Sequence, residues 1–207
     1  LWIRRQRQMC IRDRDNSLYL GQDPSSTTST AEYNLSVGAT ALDAVTTGDA
    51  NIAIGHDALS ANTTGSGNIA IGYGAYDNAD TEGNNMAIGR DALGGSINGG
   101  ETNIAIGNYS LDANTSGDLN IGLGYVALTQ NSTGSSNVGI GNSAMQLNQT
   151  GSSNTTLGNN SMKSSLSSSY NTAVGAEALF DANRTADSDG YNTALGLSLI
   201  HIPSPRD

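Results

Sequence analysis

The sequence predicts an all-β chain: a single-chain parallel β-solenoid, or β-roll, of about ten coils of 17 residues. Three observations predict it. One nine-residue pattern recurs ten times at near-constant spacing. Each copy alternates apolar with small or polar residues, the period of a strand. Each copy then reaches a glycine, a residue that ends strands and turns chains. A helix is not expected in the repeats, because Gly, Asn, Ser and Thr are poor helix formers and no 3.6-residue apolar stripe outlasts one repeat.

The pattern is seen in Asn51-Ile-Ala-Ile-Gly-His-Asp-Ala-Leu59. It begins at Asn34, Asn51, Asn68, Asn85, Asn103, Asn120, Asn137, Asn154, Asn171 and Asn192, at intervals of 17 residues except one of 18 and a last one of 21. Column one is therefore always Asn. Column five is always Gly: Gly38, Gly55, Gly72, Gly89, Gly107, Gly124, Gly141, Gly158, Gly175 and Gly196. Column four is always aliphatic, as in Ile54, Ile71, Ile88 and Ile106. Column two is aliphatic or Met as far as Val138, then Thr155, Thr172 and Thr193. Column three is always small. Columns eight and nine are a small residue and then Leu, Met or Tyr76. Turn-forming linkers such as Ala61-Asn-Thr-Thr-Gly65 complete the period.

A strand–turn–strand–turn unit of this length is one solenoid coil, and equivalent residues of successive coils stack about 4.8 Å apart. Ten coils then make a rod of roughly 45 Å, stabilised by stacking because one coil cannot bury its own apolar face. Columns two and four are expected inside, and column one is expected to form a ladder of side-chain amides. Column three then faces outward. Its small side chains predict close contact with another copy of the chain.

The motif Asn-Ile-Ala-Ile-Gly-x-x-Ala, best shown by Asn68-Ile-Ala-Ile-Gly-Tyr-Gly-Ala75 and Asn171-Thr-Ala-Val-Gly-Ala-Glu-Ala178, resembles the head repeat of trimeric autotransporter adhesins of the YadA type. The copies with Asn-Thr-Thr-Gly linkers also look like repeats of bacteriophage tail fibres and related secreted bacterial proteins. The resemblance implies a left-handed roll and a homotrimer. It also implies an extracellular place, on a bacterial outer surface or a virion tail fibre, and a role in attachment to a host-surface receptor or extracellular matrix. The 17-residue period is longer than that of the adhesin heads.

Both ends of the chain differ from the repeats. Residues 1–14 hold five of the nine basic residues, the only Trp and the only Cys; residues 198–207 hold two of the three prolines. Both look like translated sequencing-adapter read-through, so residues 1–14 and 197–207 are expected to form no part of the solenoid. Residues 15–33 are expected to be an irregular lead-in to a repeat domain spanning 34–196. The competing reading of the N-terminus is a basic arm that binds nucleic acid or a membrane surface.

Without the ends the charge is strongly acidic. Residues 15–196 hold 17 acidic and 3 basic side chains, a net of −14, and no Cys. Phosphate binding needs Lys and Arg, so nucleic acid is not an expected partner. No disulfide or Cys-based site is possible there. No stretch of 18 apolar residues exists, which excludes a membrane-spanning helix.

Candidate chemistry is sparse, and no catalytic, cofactor or metal residue is assigned. Gly122-Leu-Gly-Tyr-Val-Ala127 and Gly139-Ile-Gly-Asn-Ser-Ala144 match a dinucleotide fingerprint, but that fingerprint needs a helix next, and another repeat follows. His56-Asp57 occupies a variable turn without a third converging group, and Lys163 is a lone surface lysine. The clusters Asp77, Asp80, Glu82 and Asp181, Asp187, Asp189 are oxygen-rich, but do not recur at fixed columns as calcium repeats do. Triplets such as Asn62-Thr-Thr64 and Asn131-Ser-Thr133 match the N-glycosylation pattern. The expected function is non-enzymatic: a stiff spacer segment that displays its variable turns. Alternatives are an ice-binding array of Thr, or a non-catalytic part of a polysaccharide-degrading tailspike. The first needs a regular Thr column, the second paired acids on adjacent coils, and neither is evident in the repeat.

Overall fold

A computed structural model describes residues 11–12, 16–21, 30–95, 100–181 and 191–197. Twelve strands form one sheet in sequence order: β1 (Ile11–Arg12), β2 (Leu18–Gly21), β3 (Leu35–Gly38), β4 (Ile52–Ile54), β5 (Ile69–Ile71), β6 (Met86–Ile88), β7 (Ile104–Ile106), β8 (Ile121–Leu123), β9 (Val138–Ile140), β10 (Thr155–Leu157), β11 (Thr172–Val174) and β12 (Thr193–Leu195). The eleven from β2 to β12 are parallel, each in register with the next. No helix occurs among the described residues. The chain is a β-solenoid with 17-residue coils, as predicted.

Each coil contributes one strand rather than two. Columns eight and nine lie in a turn, not a strand. The coils are still bonded there: the Leu59 N–H donates to the Ala75 carbonyl (3.1 Å) and that of Leu128 to the Ala144 carbonyl (2.9 Å). Intercoil bonding thus continues round the turns, and the backbone is satisfied without a second sheet.

The solenoid also starts one coil earlier than the Asn pattern. Leu18 to Gly21 pair in parallel register with Leu35 to Gly38, so the expected lead-in contains a strand of the ladder. Ser17 takes the Asn column, and its Oγ accepts the Asn34 N–H at 2.9 Å. Strand β1 pairs antiparallel with β2. Two residues of the segment expected to stand apart therefore cover the free edge of the first parallel strand. The rest of that segment and residues 198–207 lie outside the described residues.

The largest correction concerns which side of the strand faces in. Column three is the buried one: Ala53, Ala70, Ala87, Ala105 and Ala173 are fully buried, as is Thr156. Columns two and four, expected inside, are half-buried or exposed on the outer face of the sheet. The reason is space. The interior is already filled by column nine, where Leu59, Tyr76, Leu93, Leu111, Leu128, Met145 and Met162 have no exposure. A side chain at Gly139 would press on the Leu128 side chain at 3.1 Å, and one at Gly122 would strike Ser110 Oγ at 2.5 Å. Small residues in column three are thus a requirement of packing between successive coils inside the solenoid, on a face buried from solvent.

Buried asparagine supplies the rest of the core. Column one makes the expected ladder, but mainly through the backbone. Asn51 Oδ1 accepts the Asn68 N–H (2.9 Å) of the next coil, while Asn51 Nδ2 donates to the Gly65 carbonyl (2.9 Å) that ends its own coil. The same pair of bonds recurs at Asn68, Asn103, Asn120 and Asn137. One side chain thereby closes a coil and ties it to its neighbour. Removing a buried partner of this kind costs about 1–3 kcal/mol per group left unpaired.

The invariant Gly55 needs its hydrogen side chain twice over. Its φ is 140°, outside the range of L side chains, and a Cβ there would lie 2.2 Å from the Gly72 carbonyl oxygen of the next coil.

Candidate functional surfaces

Three faces of the coil carry the sequence-predicted residues. The Asn and Gly columns, from Asn51 and Gly55 to Asn171 and Gly175, are structural: the Asn side chains are buried, and the glycines let the coils approach. The aliphatic columns are not inside. Ile54, Ile71, Ile88 and Ile106 stand on the outer face of the sheet with column two beside them. Together they form a continuous apolar band along the rod. Monomeric proteins rarely leave contiguous apolar patches beyond a few hundred Å² exposed. The band changes at its end: Thr155, Thr172 and Thr193 replace the aliphatic residues of column two, and Leu157 and Leu195 are 48% and 77% exposed. Outward threonine is thus confined to three coils, and the regular array that ice binding requires is not formed on the sheet.

The linker holds a second ladder that sequence reasoning missed. Asn62, Asn114, Asn131 and Asn148 are fully buried. Asn131 Nδ2 donates to the Gly134 carbonyl at 2.8 Å, and Asn148 Nδ2 to Asn131 Oδ1 at 2.7 Å. Their fixed spacing from column one was the available signal. Asn62 Oδ1 has no partner, because the next coil carries Ala79 at that column. Burial closes Asn62 and Asn131 to glycosyl transfer in the folded protein, so those triplets are not acceptor sites there.

A third ladder lies one column beyond the linker glycine. The Asp49 N–H donates to Ser66 Oγ at 3.0 Å, and that of Ser135 to Ser152 Oγ at 3.1 Å. Hydroxyl and carboxylate side chains there serve the backbone of the neighbouring coil.

The turn after the strand carries the polar chemistry. Column six presents an exposed planar group in seven successive coils: His56, Tyr73, Arg90, Asn108, Tyr125, Asn142 and Asn159. Ala39 and Ala176 bound the row. The His56 and Tyr73 rings stack at 5.4 Å with planes 13° apart. The Arg90 guanidinium lies 5.5 Å from the Tyr73 ring and 5.9 Å from that of Tyr109. Tyr109 and Tyr125 meet edge to face at 6.2 Å. His56 Nδ1 is 2.6 Å from Asp57 Oδ2, and Arg90 Nε donates to Asp91 Oδ2 at 3.1 Å. The His56 turn is therefore exposed, as expected, but belongs to a row.

Beside this row the fold assembles an acidic zigzag that no single column reveals. Column seven supplies Asp57 and Asp91, and column ten supplies Asp43, Asp77 and Asp112 in the alternate coils. Partial burial, opposed by a backbone hydrogen bond and reinforced by the Asp57 charge, raises the Asp43 pKa. Burial likewise raises Asp77, with Asp91, Asp57 and Asp112 adding to it, and raises Asp112, with Asp91 adding. Carboxylates on adjacent coils thus feel one another, although no column is acidic throughout. Among the described residues no group of three or more His, Cys, Asp or Glu could hold a metal ion. Glu82 is buried, where its carboxylate accepts the Asp80 and Thr81 N–H groups. Asp187 and Asp189 lie outside the described residues.

The fingerprint segments lack the following helix that a dinucleotide fingerprint requires. Strand β8 runs into a turn, not a helix, and Gly122 faces the core. No helix among the described residues is long and apolar enough to cross a membrane. Comparison with family models, curated proteins and solved structures returned no match for this chain.

Proposed function

We propose that the chain is a rod segment of a homotrimeric surface fibre, an extracellular structural module of a bacterial adhesin or phage tail fibre that displays its turns for attachment. The observation that carries this reading is the aliphatic band of columns two and four on the outer face of β3–β9. The coil does not need it for its own core, which columns three, eight, nine and the asparagines fill. Association with copies of the same chain removes such a band from water, at about 25 cal/mol per Å² of apolar surface. The net acidic charge opposes association, but is screened over about 8 Å at physiological salt. The adhesin-like repeat favours threefold packing. The contact is made by the aliphatic columns, not by column three as the sequence suggested.

Light scattering tests it. The purified chain should have the mass of a trimer, and Ile71→Lys with Ile106→Lys should give a folded monomer. A wild-type chain that stays monomeric at micromolar concentration overturns the reading.

A further inference from the structure

We propose that the column-six row is a binding ridge for a neutral, extended polysaccharide lying parallel to the rod. The row is one planar, exposed side chain per coil from His56 to Asn159, with alanine at either limit. The fold does not demand this. Column six is a solvent-facing turn position, and its backbone is bonded by neighbouring coils whether the residue is Ala39 or Tyr73. Solvent alone gives no reason to keep imidazole, phenol, guanidinium and amide groups in succession and aliphatic side chains out.

Those groups suit sugars. A pyranose ring has apolar C–H faces that pack on aromatic rings, and a rim of hydroxyls that both donate and accept. Tyr73 and Tyr125, 54% and 53% exposed, supply ring edges and phenol hydroxyls, the faces of Tyr73 being taken by His56 and Arg90. Tyr125 is turned 82° from Tyr109, so the two rings are not stacked and Tyr125 keeps ring surface outside that contact. Arg90 and Asn142 offer donors, and the carboxylates of Asp57 and Asp91 accept from hydroxyls. Stacking of His56 on Tyr73 and of Arg90 between Tyr73 and Tyr109 orders the long side chains before a ligand arrives. That lowers the entropy lost on binding.

Spacing and charge select the ligand class. Coils repeat at about 4.8 Å, roughly the length of one sugar unit in an extended chain, so successive sugars stay close to successive rungs. An extended peptide advances about 3.3 Å per residue and falls out of step. The net charge of −14 over residues 15–196 and the adjacent Asp zigzag repel anionic polymers. The row lies on the turn beside the sheet, not on its aliphatic face, so this inference and fibre assembly can fail separately.

Native affinity electrophoresis tests it, with gels containing hydroxyethyl cellulose, galactomannan, arabinoxylan or dextran, and alginate as the anionic polymer. At least one neutral polymer should retard the wild-type chain and alginate should not. Tyr73→Ala with Tyr125→Ala should weaken retardation at least tenfold, and Arg90→Gln should weaken it less. Tyr170→Ala, outside the row, should leave it unchanged. Melting curves and light scattering confirm that each variant keeps its fold and assembly state. Absence of retardation by all four neutral polymers, equal retardation of the double variant, or equal retention by alginate overturns the proposal.

Discussion

Strands β3–β9 and strands β10–β12 share one interior and differ on one exterior column. In the first group the outer column two is Leu35, Ile52, Ile69, Met86, Ile104, Ile121 and Val138; in the second it is Thr155, Thr172 and Thr193. Inside, both keep the Asn ladder, buried from Asn34 to Asn171, and a small column three, with Leu, Met or Tyr76 at column nine as far as Leu179. The coil therefore tolerates hydroxyls in column two at no cost to its core. What specifies a coil is the inward set; the outward aliphatic band answers to something outside the coil. A further regional contrast is electrostatic, since the Asp zigzag from Asp43 to Asp112 has no counterpart in the last three coils.

The sharpest way to break the first contrast is to truncate the same inward column in both regions. Leu128→Ala and Met162→Ala, at positions with no exposure, should each lose about 2–5 kcal/mol of unfolding free energy. Ile140→Ala on the outer face should lose under about 1.5 kcal/mol in the monomeric Ile71→Lys, Ile106→Lys background, because less area changes there. Chemical denaturation that ranks Ile140 above Leu128 would restore the register expected from sequence.

A smaller effect is expected from extending the band. Thr155→Ile with Thr172→Ile should leave the melting temperature of the monomeric background within a few degrees. In the assembling chain it should lower the concentration at which the oligomer dissociates by several-fold, measured by light scattering on dilution. Unchanged dissociation would mean that the contact ends before β10.

The smallest effect is electrostatic. Burial raises the folded-state pKa of Asp43, Asp77 and Asp112 above the usual 3.8. A group raised on folding binds its proton more tightly in the folded chain. The stability difference is therefore most favourable below the unfolded value, near 3.9, and is lost as pH rises through the raised folded value. Melting temperature should accordingly rise as pH falls from 7 toward 4. Asp77→Asn should flatten part of that rise and stabilise the chain at pH 7 by less than about 1 kcal/mol after solvent screening. A melting temperature independent of pH in both chains would remove the zigzag as an energetic feature.

What the sequence by itself determined is the coil. The spacing of Asn51, Asn68 and their successors set the period, the parallel register and the absence of helix. The invariant Gly55 column announced a positive φ or a close backbone approach, and both are found. Alternation also showed that the strand has two unlike faces. Only the tertiary structure decided which face is inside. A period of two is symmetric between faces, and the rule that aliphatic residues are buried assumes room for them. Leu59 and its column take that room from the opposite turn, so Ala53 faces in and Ile54 faces out. The same limit hid the linker ladder of Asn62 and Asn131, the Ser17 rung, the planar row and the Asp zigzag. Each depends on residues a full coil apart, or on alternate columns, whose adjacency comes from the rise of the coil and not from the chain.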